Sequence, residues 1–322
     1  MSDAWKVCAG LVLSLVTAAA AAQTWPSKPI RFVSPFAPGG GADITARALG
    51  AKLSSGLGQQ VLIDNRGGAG GMVGVEIAAK SPPDGYTIVI GTIGNIAINP
   101  SLYAKMAYDP IRDLAPISRV ANALNVLVVH PSLPVKDVKS FIAFVKARPG
   151  QLNYGSSGPG AADHLAGELF DTMTGAKMIH VPYKGGAPAM LDLVGGQVQV
   201  VFSTVSTAVG SIQAGKIRAL GMTGNQRFER MPDIPTISEA GLKGFEVNNW
   251  YGLFAPAGTS KDIIGRLNAE SVKALAMSDV KSHLLDAGII AVSSTPEAFA
   301  AYIQSETRKW AKVIREANIK VE

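Results

Sequence analysis

Two stretches concentrate the residue types that hold an anion without a cationic side chain. One is Pro35-Phe36-Ala37-Pro38-Gly39-Gly40-Gly41-Ala42-Asp43; the other is Tyr154-Gly155-Ser156-Ser157-Gly158-Pro159-Gly160. Each follows a short apolar run and leads into a segment with helical periodicity. Glycine lets main-chain N–H groups approach a bound group closely, and a helix N-terminus adds roughly half a positive charge with unpaired donors. Together these features suit a carboxylate or another anion. Either loop alone also reads as a tight strand–helix turn; two at matching positions favour the anion cradle.

Other chemistries fit less well. After Gly39 and Gly41, the last glycine of G-x-G-x-x-G falls on Ile44, and no G-x-x-x-x-G-K-[ST] occurs, so a phosphate fingerprint is not supported. A G-x-S-x-G centred on Ser157 has Gly155 but puts Pro159 in the final place. The chain has four histidines, His130, His164, His180 and His283. A pairing of Ser156 or Ser157 with His164 stays open beside the simpler reading, in which His164 caps or packs on its helix and the serines donate hydrogen bonds to a ligand. His164 and Glu168 share a helix face, but H-E-x-x-H is absent and no third metal ligand suggests itself. Asp43 reads as a helix cap or a charge matched to the helix dipole. Neither a catalytic centre, a metal nor a cofactor is expected.

Three further strand ends bear on a cleft. In His180-Val181-Pro182-Tyr183-Lys184-Gly185-Gly186, Tyr183 reads as an aromatic wall or as packing, and Lys184 as anion-facing or solvated. In Phe202-Ser203-Thr204 the hydroxyls line a cleft or cap a helix. Trp250 reads as a core residue or as a hinge-side ligand contact.

The elements that must position these residues alternate. Strands are predicted at 30–33, 61–63, 86–90, 124–129, 152–154, 178–181, 198–202, 219–222 and 247–254. Helices are predicted at 42–57, 72–79, 138–147, 163–174, 187–194, 204–214, 263–277, 280–287 and 296–318. Short apolar strands separated by helices predict an α/β protein with parallel sheets covered on both faces, and ligands at the carboxyl ends of the strands. Two βα series followed by a helical return predict two lobes, with the chain crossing near 120–127 and 246–253.

The composition agrees. The chain has 322 residues, 47% of them apolar and 17% charged, enough for two cores and too apolar for disorder. One cysteine excludes a disulfide scaffold and a cysteine-rich metal site. The net charge of +6 comes without a run of five basic residues, so it is a diffuse field favouring small anions, not a nucleic-acid footprint. Lys6, an apolar stretch from Val7 to Ala19 and Ala20-Ala21-Ala22 have the layout of a secretory signal peptide, cleaved before Gln23. The apolar stretch is short for a membrane anchor. Its removal takes away Cys8, leaving a thiol-free product suited to an oxidising periplasm.

From Trp25 onward the sequence resembles the tripartite tricarboxylate transporter substrate-binding proteins, the Bug (Bordetella uptake gene) family. The resemblance rests on Trp25-Pro26-Ser27-Lys28-Pro29-Ile30-Arg31, Pro35 to Ile44, Pro83-Asp84-Gly85-Tyr86-Thr87 and Ile98-Asn99-Pro100-Ser101-Leu102-Tyr103. It continues through Asn153-Tyr154-Gly155-Ser156-Ser157-Gly158, His164-Leu165-Ala166-Gly167-Glu168, His180 to Gly186 and Asp233 to Gly241, all in order. It implies a two-lobed periplasmic binding protein of type II-like fold, with hinge strands between a first lobe (23–123 plus 247–322) and a second (124–246), preceded by the signal peptide (1–22). It implies that a ligand carboxylate sits between Phe36, Ala37, Pro38, Gly39, Gly40 and Gly41 on one side and Ser156, Ser157, Gly158 and Gly160 on the other, partly through water. Thr92, Tyr183, Ser203, Thr204 and Trp250 would read the rest of the ligand. Many relatives have Asp where this chain has Ser203, which tilts the expectation from an amino acid toward a plain organic carboxylate. The implied partners are a small organic carboxylate and the membrane permease subunits of a tripartite transporter. No nucleic acid is expected, and a monomer is the default for a shuttle. A binding protein serving a sensor kinase and, more remotely, a secreted Ser hydrolase are the alternatives.

Overall fold

A computed structural model describes residues 25–317 and Ile319. The signal-peptide reading of residues 1–22 lies outside them. The first sheet has six strands: β1 (Ile30–Ser34), β2 (Val61–Asn65), β3 (Thr87–Thr92), β4 (Leu114–Ala123), β10 (Asn249–Pro256) and β11 (Ile289–Ala291), in the order β11-β4-β10-β3-β1-β2. The second has five: β5 (Asn125–Val129), β6 (Asn153–Ser156), β7 (Ile179–Pro182), β8 (Val200–Thr204) and β9 (Arg218–Met222), in the order β7-β6-β8-β5-β9. These sheets are the cores of two lobes.

Helices α1 (Gly41–Leu57), α2 (Met72–Ala79), α8 (Lys261–Ala276) and α9 (Ser278–Asp286) belong with the first sheet, as do the single turn α3 (Asn99–Leu102) and the long α10 (Pro296–Glu316). Helices α4 (Val138–Lys146), α5 (Ala162–Thr174), α6 (Gly186–Val194) and α7 (Val205–Gln213) belong with the second. The amphipathic pattern explains the packing. In α1, Leu49, Leu53 and Leu57 recur at every fourth position and bury against Phe32 and Ile88. In α10, Phe299, Ile303, Glu306, Trp310 and Ile314 form one buried stripe.

The parallel-sheet expectation needs correction. β1 pairs in parallel with β2 and β3, and β6 with β7 and β8, but β10 runs antiparallel to β3 and β4, and β5 antiparallel to β8 and β9. The strands on either side of the two crossings cause the mixture. Strand β4, ten residues long, was not predicted because Pro116, Arg119 and Asn122 interrupt its apolar alternation. Only Leu124 separates β4 from β5, and the chain returns to the first sheet between β9 and β10. Backbone bonds tie the two crossings together: Thr223 N–H donates to Asn125 O at 2.9 Å, and Val247 N–H to Thr223 O at 2.9 Å.

The lobes touch. Ala37 N–H of the first donates to Lys184 O of the second at 3.1 Å. Gly94 faces the Gly160 carbonyl so closely that a Cβ there would stand 2.7 Å from the oxygen. One apolar cluster runs between the sheets, from Val33 and Val89 to Leu127, Phe202 and Phe245.

Candidate functional site

Between the lobes lies a cleft with about 460 Å³ of empty space, its mouth included. The first lobe contributes Phe36, Gly40, Gly41 and Ala42 from the start of α1, Thr92 from the end of β3, and Asn249 and Tyr251 from β10. The second contributes Asn125 from β5, Ser157, Ala161, Ala162 and Asp163 from the start of α5, Gly186 from α6, and Thr204 and Thr207 around the start of α7. No Lys, Arg or His is among these lining residues.

The polarity of the cleft comes from helix ends. The N-caps of α1, α5, α6 and α7 are Gly40, Ala161, Gly185 and Thr204, and none offers a side-chain capping bond. Of the helices away from the cleft, α4, α8 and α10 are capped by the side chains of Asp137, Ser260 and Thr295, whereas α2 and α9 are not side-chain capped. In α1 the first intrahelical bond runs from Ile44 N–H to Gly40 O, and in α5 from Leu165 N–H to Ala161 O. The N–H groups of Gly41, Ala42, Asp43 and Ala162 precede those bonds. Unpaired first-turn donors on converging helices create positive potential without a charged side chain.

Each lobe fixes its loop in the same way, with an acid from the first helical turn reaching back. Asp43 accepts from Gly39 N–H at 3.0 Å, Arg47 Nε at 2.9 Å and Asn65 Nδ2 at 2.8 Å. Burial raises its pKa, but the bonds from Arg47, Gly39 and Asn65 outweigh that and hold it below the usual carboxylate range. Asp163 accepts from Ser157 N–H at 2.8 Å, Ser157 Oγ at 2.6 Å and His164 N–H at 2.9 Å. It has no cation beside it, and burial pushes it up to about 6 despite those bonds. Burial likewise holds the Tyr251 phenol protonated well above its ordinary range.

Of the residues singled out in the sequence, Phe36, Gly40, Gly41, Thr92, Ser157 and Thr204 line the cleft. The others do not, for identifiable reasons. The N–H groups of Ala37, Gly39, Gly158 and Gly160 are already engaged, with Lys184 O, Asp43 Oδ2, Ser156 Oγ and His164 Nδ1. Pro38 has no N–H. Gly160, at φ +74°, lets the second lobe's loop lie against Asn99 of the first. Ser156 turns inward, its Oγ 2.6 Å from His180 Nε2. Tyr183 packs over Gly155 and donates to Asp192 Oδ2 at 2.6 Å. Ser203 is buried and donates to the Thr204 carbonyl, so the expectation built on it has no footing in the cleft. Trp250 points to the far side of its sheet, where Nε1 donates to Glu306 at 3.2 Å and the ring meets Phe299 edge-on. Lys184 is exposed and not among the lining residues.

The proposed serine–histidine pair with His164 does not form: Ser157 bonds to Asp163, and Ser156 to His180. His164 accepts Gly160 N–H and lies 3.8 Å from Glu168. Burial lowers His164 to about 3 and His180 to about 4, so both are neutral. Among the described residues no group of three or more His, Cys, Asp or Glu is placed to hold a metal ion.

Asp163, Asn125, Asn249, Tyr251 and Thr207 were not singled out as cleft residues. The sequence signal was weak but present: Tyr251 and Asn249 flank Trp250 at the opposite strand parity, and Thr207 lies one helical turn after Thr204.

Residues 45–319 match the tripartite tricarboxylate transporter family receptor. The chain belongs to this family. A UPF0065 protein from the tcbD-tcbE intergenic region of Pseudomonas sp. (strain P51) is 40% identical over 315 residues, 97% of this chain and 94% of that one. Among solved structures, R. palustris Rpa4515 with adipate is 38% identical at a TM-score of 0.89, covering 92% of this chain and 99% of that one. MatC from Rhodopseudomonas palustris with bound malate is 33% identical at a TM-score of 0.87, covering 90% and 100%. These two similar structures hold carboxylates, and the chain is a solute-binding protein of the same two-lobed build.

Proposed function

We propose that the protein captures a small organic carboxylate in the interlobe cleft and delivers it, in the periplasm, to a tripartite tricarboxylate-type permease. The observation that carries this reading is the convergence of four helix N-termini without side-chain caps on a cleft with no cationic lining residue. Such a site binds an anion through main-chain donors. The adipate and malate in the two solved relatives support it, and the signal-like segment at 1–22 supports export.

The mechanism follows from the fold. In an open form the ends of α1 and α5 face solvent on separate lobes. A carboxylate docks on one set of amides, and rotation about the crossings at Leu124 and between β9 and β10 brings the other set to it. Closure adds the Ala37–Lys184 bond and the Gly94–Gly160 contact, so ligand shifts the population toward the shut form. The permease would recognise that form.

The test is a thermal-shift screen of the purified protein, from residue 23 onward, against organic carboxylates. A true ligand at about 100 times its Kd adds about 2.7 kcal/mol of stability. Stabilisation only by carboxylates, with each recovered unchanged, is the expected outcome. Turnover of an added ester, abolished by Ser157→Ala, would replace this reading with the hydrolase.

A further inference from the structure

Two buried amide oxygens at the cleft lack a partner. Asn125 opens β5 and Asn249 opens β10, the strands that follow the two crossings. The residues are 3% and 8% exposed, both line the cleft, and the Oδ1 of each makes no hydrogen bond. The Asn125 amide is oriented by its Nδ2, which donates to Phe202 O at 3.4 Å. That leaves its oxygen, an acceptor, for the cleft. Asn249 also borders a hollow behind the hinge, whereas Asn125 does not.

A desolvated carbonyl oxygen without a donor is unfavourable, and a donor brought in by a ligand relieves it. The ionisable side chains lining the cleft are Asp163 and Tyr251, and no cation is present to receive a second negative charge. The first-turn amides of α1 and α5 provide for one carboxylate, and the unpaired Asn oxygens offer no donor to a second.

On the reading of the cleft as a carboxylate site, we propose that Asn125 and Asn249 read the ligand's other end. The preferred class is then a monocarboxylate whose far end carries an uncharged hydrogen-bond donor, a hydroxyl or a primary amide, over the dicarboxylate of the same length. The Asn oxygens accept from that donor, while a carboxylate there would face them without a proton to share.

The experiment is calorimetric titration at pH 7.5 with matched sets of three to eight carbons: the simple monocarboxylate, its ω-hydroxy acid and the α,ω-dicarboxylate. At the best length, the hydroxy acid should bind about tenfold or more tighter than the other two. Asn125→Leu and Asn249→Leu should each collapse the ratio of hydroxy acid to simple acid toward one. Asn125→Leu also gives up the 3.4 Å bond to Phe202 O, and Asn249→Leu the contact of its amide with Tyr251, so the apo melting temperature of each variant is measured beside the ratio. A dicarboxylate that binds more tightly than the hydroxy acid overturns the proposal and leaves carboxylate capture intact. So does a hydroxyl preference that survives both substitutions. If no acid of these sets binds, the proposal falls, and the wider carboxylate screen decides the reading on which it rests. The wild-type ratio decides even if a leucine variant does not fold.

Discussion

Replacing Gly40 by valine separates the role of the first loop in binding from any role in folding. Gly40 has φ −84° and ψ 167°, extended backbone that a β-branched residue adopts readily. A Cβ there would have Ala37 O at 3.9 Å as its nearest neighbour, so the side chain enters the cleft without a clash. Loss of glycine's freedom in the unfolded chain contributes about 0.4–1 kcal/mol of stability. The apo variant should therefore melt at or slightly above the wild-type temperature. Binding behaves differently. The isopropyl group sits where a carboxylate must approach the first-turn amides of α1. Each charge-assisted hydrogen bond lost costs about 1.5–3 kcal/mol, or roughly 10- to 150-fold in affinity. Differential scanning calorimetry of the apo protein and calorimetric titration with a carboxylate from the screen measure the two effects. A folded Gly40→Val variant with the wild-type Kd would refute the main-chain cradle. A melting temperature lower by more than about 5 °C would show that the position serves the fold.

Other substitutions probe closure, packing and charge. Gly94→Ala places a Cβ 2.7 Å from Gly160 O and 3.1 Å from Ala161 Cα, both in the opposite lobe. It should leave apo stability nearly unchanged, weaken ligand about tenfold or more, and keep the radius of gyration large at saturating ligand in X-ray scattering; an unaltered Kd would count against closure at this contact. Trp250→Phe removes the donor to buried Glu306 and should lower stability by about 1–3 kcal/mol in urea, with ligand affinity unchanged. If it weakens ligand instead, the far-side placement of Trp250 is wrong. Two pairs of buried groups pull the pH dependence of stability in opposite directions. His164 and His180 have native pKa values below the ordinary 6.5, so their stabilisation, full above 6.5, is lost as pH falls toward 4. Asp163 and Asp171, raised to about 6 by burial, contribute stability that is full below 3.8 and lost as pH rises through 6. Between pH 4 and 6 these slopes nearly cancel. In His164→Asn, which keeps an acceptor for Gly160 N–H, stability should rise by about 1 kcal/mol per unit as pH falls from 6 to 4 relative to wild type. Parallel urea curves for the two proteins would exclude the buried neutral histidine.

Much of the architecture was legible in the residues themselves. The glycine-rich turns ahead of helical patterns at Ala42 and Asp163, and the apolar strands before them, are local features, and local patterns set elements. Strand β4 was hidden because its polar positions, Arg119 and Asn122, answer to the hinge side of a lobe that exists only once β10 and β11 flank it. The site was legible as a region, not atom by atom. Two of the differences share one cause: along a strand, neighbours face opposite ways, so Trp250 and Ser203 turn from the cleft while Tyr251 and Thr204 face it. Sequence determined which segments carry the donors and the hydroxyls. Only the tertiary structure decided which members of each segment meet. Strand parity depends on which face the core buries, and the donors spent inside a loop depend on acids such as Asp43 and Asp163 folding back onto it.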